Sequence, residues 1–285
     1  MCARVAVVLL VLLCLLHATP ALSEGDSLQI HPVRLAILGG VTAGTVVAVH
    51  LYQQGAWWQG ARAPFRFEND WDYALNVDKM GHAYGAYLLS HLFTYGLQWS
   101  GVQRSSSVVY GSLFGMAYQL YVEVEDGFHR DYGFSPGDAI ADLTGAMIPL
   151  VQETVPPFRS FALKWSYFPS TEYLNELKTT PSRVFIDDYE GQIYWVSWTP
   201  RAMFSGRMIK WIPEWLGLSF GYGARQLADP AGRHEIWALT LDVSLSRIRT
   251  GSDFFDALLT ALDHIHVPAP GLTAERGVVK LGIVY

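Results

Sequence analysis

Trp237-Ala238-Leu239-Thr240-Leu241-Asp242-Val243-Ser244-Leu245 sets large apolar side chains against small or polar ones at every second position. A period of two is the mark of a half-buried strand. The stretches 192–198, 216–222 and 278–285 share that pattern or a strongly β-forming composition. Ahead of the last of them, Phe255, Leu258, Leu259, Leu262 and Ile265 recur at helical spacing with acids opposite, which predicts one amphipathic helix. A closed transmembrane barrel needs at least about eight strands. The four seen here predict instead a small antiparallel sheet packed on helices.

Before Pro156 the texture is different. Residues 33–52 are nearly all apolar, long enough to cross a bilayer, and His50, Tyr52, Trp57 and Trp58 follow like an interfacial belt. Gly40, Gly44 and Ala48 put small residues on one face, inviting another helix to approach. An aromatic and acidic loop then leads to three more helical stretches, 78–99, 107–125 and 136–154. Ser135-Pro136-Gly137-Asp138 carries a capping serine, a first-turn proline and an acid, while Gly101, Gly127 and Pro156-Pro157 close the three helices. The expected fold is α+β: a four-helix, membrane-type bundle over 24–156, then a β-rich region over 157–285 packed on it.

Composition bounds the function. Of 285 residues, 51% are hydrophobic and only 16% charged, against about 25% charged in an ordinary soluble domain. A net charge of −6 with no basic stripe argues against nucleic acid. Arg4, the apolar run 5–16 and the small-residue exit 18–23 read as a secretory signal peptide over 1–23. Cys2 and Cys14 both fall inside it, so the mature chain is expected to carry no thiol and no disulfide. Val11-Leu12-Leu13 before Cys14 lacks the small residues of a lipobox, so no lipid anchor is expected.

Three polar blocks interrupt the apolar helices: Asp78-Lys79-Met80-Gly81-His82, Glu123-Val124-Glu125-Asp126-Gly127, and Gly133-Phe134-Ser135-Pro136-Gly137-Asp138 running on to Asp142 and Gly145. Residues four apart share a helical face, so Asp78 pairs with His82, Asp138 with Asp142, and Gln119 with Glu123. Short connections make these helices alternate in direction. Asp78, His82, Glu123, Asp138 and Asp142 should therefore meet at one end of the bundle. Three readings stay open. The first is an ion-paired plug that fixes helix register, with Lys79 neutralising an acid. The second is a divalent metal site on Asp78, His82, Glu123, Asp138 and Asp142, whose oxygen-rich donors suit magnesium, calcium or manganese. The third is acid-base catalysis by Asp78, His82, Glu123 and Asp138, with His82 oriented by Asp78. Lys79, Glu125, Asp126 and Arg130 are the candidate substrate-binding residues. His91, His234, His264 and His266 show no ligand spacing, and no nucleophile elbow appears.

At these residues the chain resembles the YfiM-like family of predicted periplasmic lipoproteins. The resemblance rests on Asp78-Lys79-x-Gly-His82, on Glu123 with Glu125-Asp126-Gly127, and on Gly133-Phe134-Ser135-x-Gly-Asp138-x-x-x-Asp142-x-x-Gly145. It covers about the first half, and Pro268-Ala269-Pro270 with the strand pairs is similar to longer members. More remotely, the order Asp-Lys-x-x-His, Glu, Asp-x-x-x-Asn-x-x-Gly is similar to VanZ-like membrane proteins implicated in glycopeptide resistance, with Asp142 in place of the asparagine. The resemblance implies residence in the envelope of a Gram-negative cell and no defined reaction. Two functions fit: binding or processing a membrane lipid or cell-wall amphiphile, or a non-enzymatic structural or assembly role in the envelope.

Overall fold

A computed structural model describes residues 29–175, 184–204 and 209–285. The expected signal peptide and both cysteines lie outside these residues. Four long helices come first: α1 (Pro32–Ala56), α2 (Val77–Trp99), α3 (Arg104–Gly127) and α4 (Pro136–Thr154). The strands β1 (Phe161–Tyr167), β2 (Gln192–Trp198), β3 (Leu216–Arg225), β4 (His234–Val243), β5 (Ala269–Glu275) and β6 (Val278–Val284) follow. Short helices α5 (Thr171–Leu174) and α6 (Pro200–Met203) and the amphipathic α7 (Asp253–Leu262) lie between them.

Small residues let three of the helices press together. A Cβ on Gly111 would collide with Thr94 Oγ1, one on Gly115 with Ser90 Oγ, and one on Gly145 with the Ala83 carbonyl. The backbones of α3 and α4 thus lie directly on α2. Ser90 and Thr94 donate to the Ala86 and Ser90 carbonyls at 2.7 Å each, so their hydroxyls are satisfied inside this apolar contact. Helix α1 behaves differently. Leu38 packs on Gly96, but only Leu38 and Gln53 of α1 are buried, and no described residue lies within 4 Å of a Cβ on Gly40 or Gly44. Among the described residues the small face of α1 receives no helix, which corrects the expectation for those glycines. Three helices form the tight core and α1 runs alongside with most of its apolar surface exposed.

The sheet is a six-stranded antiparallel meander in the order β1-β2-β3-β4-β5-β6. Two strands thus join the four expected ones. In β1, Phe161, Leu163, Trp165 and Tyr167 alternate with Ala162, Lys164 and Ser166, and the lysine disguises a buried position. In β5, Pro270-Gly271 looks like a turn from sequence alone.

The register gives the sheet an unusual polarity. One face carries small and polar residues, and they are buried: Ser197 bonds Ser219 at 2.5 Å, and Thr240 bonds His266 at 2.9 Å. Lys164 is held by Asp242 at 2.9 Å and Asp263 at 2.8 Å. The His266 ring stacks on Trp195 with centroids 3.8 Å apart, covering part of this face. The chain just before β5 also bridges to β1 at Trp165 and Ile265, drawing the ends of the meander together. The opposite face is apolar. Its row Val196, Phe220, Leu239, Leu272 and Leu281 runs across five paired strands. Helix α2 covers part of that face through Tyr84, whose ring lies 5.8 Å from Tyr194 and 6.4 Å from Trp165. The remainder, on β3 to β6, is exposed.

Candidate functional site

The polar end of the helices is built by three local devices. Ala74, Leu75 and Asn76 all have positive φ immediately before α2, a strained turn that sets where Asp78 begins. Tyr222 donates to the Leu75 carbonyl at 2.5 Å, so the sheet braces this turn. Ser135 caps α4 by accepting from the Asp138 amide at 3.1 Å, which places Asp138 and Asp142 on the inward side. Glu123, one turn from the end of α3, accepts from the Ser135 amide at 3.0 Å.

Asp78, His82, Glu123, Asp138 and Asp142 converge in two overlapping groups, Asp78/His82/Asp138 and His82/Glu123/Asp142, each with its donor atoms within 4.8 Å of one another. The first group is organised by Lys79. Its ammonium lies 2.8 Å from Asp70, 3.1 Å from Asp138 and 3.4 Å from Asp78. Ser135 donates to Asp70 at 2.6 Å and Tyr189 donates to Asp78 at 2.8 Å. The second group is organised by His82, whose Nδ1 lies 3.1 Å from Asp142 and whose Nε2 lies 3.7 Å from Glu123. Asp78 was expected to orient His82. Its oxygens are engaged by Tyr189 and Lys79 instead, and Asp142 takes that place. Gln119 donates to the same Asp142 oxygen at 3.2 Å.

Charge is unbalanced here. Among the described residues, Asp70, Asp78, Glu123, Asp138 and Asp142 pair only with Lys79 and His82 as cationic groups. Burial pushes the Glu123 carboxyl up to about 8, against the pull of His82. Burial likewise raises Asp138 to about 7, opposed by His82 and Lys79. For His82 burial favours the neutral ring, but the Asp142 hydrogen bond and the surrounding carboxylates outweigh it and hold the imidazole well above its ordinary value. Protons thus substitute for missing positive charge.

The substrate-binding candidates divide. Lys79 belongs to the cluster. Glu125 pairs with Arg62 at 2.8 Å, and Asp126 accepts from Trp58 at 2.5 Å, so both belong to a neighbouring group beside the end of α1. Arg130 is exposed, and its carbonyl accepts from Arg66 at 3.0 Å. His91, which shows no ligand spacing in the sequence, has Nε2 buried without a hydrogen-bond partner among the described residues. Asp70 and Tyr189 were missed. Asp70 lies in an irregular loop with no periodicity to expose it, and Tyr189 reaches Asp78 from 111 residues away.

Residues 67–154 match the profile of a family described as "Predicted periplasmic lipoprotein (DUF2279)". The match spans under a third of the chain and contains every member of the cluster except Tyr189. No curated protein and no solved structure matches the chain. That description is consistent with the Gram-negative cell envelope that the family resemblance implies for this chain. Neither the YfiM-like name nor the VanZ-like resemblance gains support from these comparisons, and the lipoprotein description concerns the family, since Cys14 lies outside the described residues.

Proposed function

We propose that this envelope protein binds an oxygen-preferring divalent cation, of the magnesium, calcium or manganese class, between His82, Glu123 and Asp142. There it binds or processes a lipid or cell-wall amphiphile at a membrane surface. The observation that carries this reading is Asp142. It is fully buried, its Oδ1 is shared by His82 and Gln119, and its Oδ2 has no hydrogen-bond partner among the described residues. A buried, unpartnered carboxylate oxygen costs about 1–3 kcal/mol or more unless something meets it. Two carboxylates and one imidazole fit such an ion, which takes the place of the protons on Glu123 and Asp138. A bound cation polarises a phosphoryl or carbonyl oxygen. His82, its Nδ1 held by Asp142, is placed to turn Nε2 to that ion.

Two features support work at a membrane. Helix α1 is long and apolar enough to cross one by length and composition, and the outward sheet face is apolar. The Lys79 half of the cluster favours a second role, fixing the register of α2 and α4, because its ions already pair with one another.

The test is metal analysis of the purified protein and titration with manganese, beside Asp142→Asn and Glu123→Gln. One ion per chain is expected, with affinity reduced at least about tenfold in each variant at unchanged helix content. Absence of saturable binding in the unaltered protein would remove the cation from this site.

A further inference from the structure

The two edges of the sheet end differently. On the outer side of β1, the Trp165 amide donates to the His264 carbonyl at 3.1 Å, and the His266 amide donates to the Trp165 carbonyl at 2.9 Å. That edge is covered. Strand β6 forms the other edge, and among the described residues its backbone pairs with β5 alone. Every residue from Val278 to Ile283 is exposed.

The hairpin decides which backbone groups point outward. Arg276 and Gly277 both have positive φ and form a two-residue turn, so Glu275 and Val278 close it as a hydrogen-bonded pair. Hydrogen-bonded and non-hydrogen-bonded pairs then alternate along the ladder. Val278, Lys280, Gly282 and Val284 direct their N–H and C=O groups to β5. Val279, Leu281 and Ile283 direct theirs to the free edge. Pro270 has no N–H to give and stands opposite Ile283, in agreement with that phase.

Such an edge recruits another strand unless proline, a bulge, shortness or charge blunts it. β6 is seven residues long, has no proline and keeps an unbroken register with β5. The side chains of Val279, Leu281 and Ile283 are between 62% and 81% exposed. Lys280 is the one charged residue of the strand, and its ammonium turns back to Glu275 at 3.5 Å.

The strand is also complementary to itself. A second copy of β6, turned about a twofold axis at Leu281, runs antiparallel and pairs every residue from Val278 to Val284. Leu281 then meets Leu281 of the second copy, and Val279 meets Ile283, so the outward N–H and C=O groups bond one another. Lys280 falls opposite Gly282, which has no side chain and no described residue within 4 Å of a Cβ placed there. An axis at Lys280 would set two lysines against each other, which is unfavourable. The axis at Leu281 keeps the apolar faces on one side. The row Val196, Phe220, Leu239, Leu272 and Leu281 thus continues unbroken into the second copy.

We infer that β6 is the interface of a homodimer, in which two copies of this chain join edge to edge about Leu281 into one antiparallel sheet. The interface shares no residue with the His82 cluster and stands whether or not a cation binds there.

The experiment is sedimentation of the full protein in mild detergent, in a background of Cys2→Ser and Cys14→Ser. A particle of two chains is expected. Leu281→Pro removes an outward N–H and no bond to β5, so dimerisation should weaken at least about tenfold while the melting temperature holds. Val279→Lys with Ile283→Lys sets like charges across the axis twice and should weaken it at least as much. Val279→Lys with Ile283→Glu sets opposite charges there and should restore the dimer. Leu281→Cys should oxidise to a linked dimer, because α-carbons of such a pair stand about 5.5 Å apart. Lys280→Cys should not. A single chain at every concentration, full dimer in both Leu281→Pro and the two-lysine variant, or linkage at Lys280→Cys in place of Leu281→Cys would overturn the proposal.

Discussion

The Nδ1 atom of His82 lies 3.1 Å from Oδ1 of Asp142 across the contact where α4 presses onto α2. Three residues beyond Asp142, Gly145 sits against the carbonyl of Ala83, the neighbour of His82. The hydrogen bond and the close backbone approach therefore depend on the same interface. Gly145→Ala puts a methyl group where a carbonyl already is. It should destabilise the protein by about 1–3 kcal/mol and weaken manganese binding by separating the two helices. Urea unfolding and a manganese titration check both, and an unchanged unfolding midpoint would show that the interface can yield.

Among the described residues, Lys79 is the only lysine or arginine paired with Asp70, Asp78 and Asp138, and it is nearly fully buried. Lys79→Met keeps most of the side-chain length but strands three carboxylates. A loss of about 3–5 kcal/mol is expected for breaking such a buried network. Adding Asp138→Asn to Lys79→Met should recover part of that loss, since it removes one stranded charge. Additive costs in the double variant would mean that Lys79 and Asp138 do not act as a pair.

Stability should fall on both sides of mildly acidic pH. Glu123, at about 8 in the folded chain against an ordinary 4.5, holds a proton that the unfolded chain has lost. Its contribution is complete below about 4.5 and disappears as the pH rises through 8. His82, also raised, acts in the same direction. Burial lowers His264 and His266 to about 4, so their contribution is complete above 6.5 and lost as the pH falls through 4. Glu123→Gln keeps the acceptor for the Ser135 amide and removes the titration. In metal-free protein, unfolding midpoints at about pH 5, 6.5 and 8 should decline on the alkaline side in the unaltered chain and flatten in the variant. Parallel profiles would assign the decline to other groups.

What could be read from the sequence was whatever has a local period. The three core helices, the strand at Gln192–Trp198 and the meeting of Asp78, His82, Glu123, Asp138 and Asp142 follow from spacings of two or four and from short connections. What escaped depends on partners far along the chain. Lys164 looks like a surface residue until Asp242 and Asp263 surround it, and that hid β1. Asp78 and His82 share a face, which suggested a pair. Tyr189, from beyond the helices, takes the aspartate, and Asp142 takes the histidine. Gly40 and Gly44 carried the same small-residue signal as Gly111 and Gly115, yet only the latter two meet another backbone.

The exposed sheet face gives the sharpest test of the membrane reading. Val196, Phe220, Leu239, Leu272 and Leu281 form one row across paired strands, and each is between 43% and 81% exposed. An uncovered apolar row of this width exceeds what isolated surface residues account for. Lys280, on the other face of β6, has a side chain 64% exposed and an ion pair to Glu275. The two faces can be told apart because both native cysteines lie at or before position 14. Leu239→Cys and Lys280→Cys, each labelled with an environment-sensitive fluorophore, should respond differently to lipid vesicles. The Leu239 label is expected to shift to the blue and to resist a water-soluble quencher, while the Lys280 label changes little. Because α1 belongs to both samples, its own attachment to lipid cannot produce that contrast. Equal response at the two positions would mean that the apolar face does not meet the membrane.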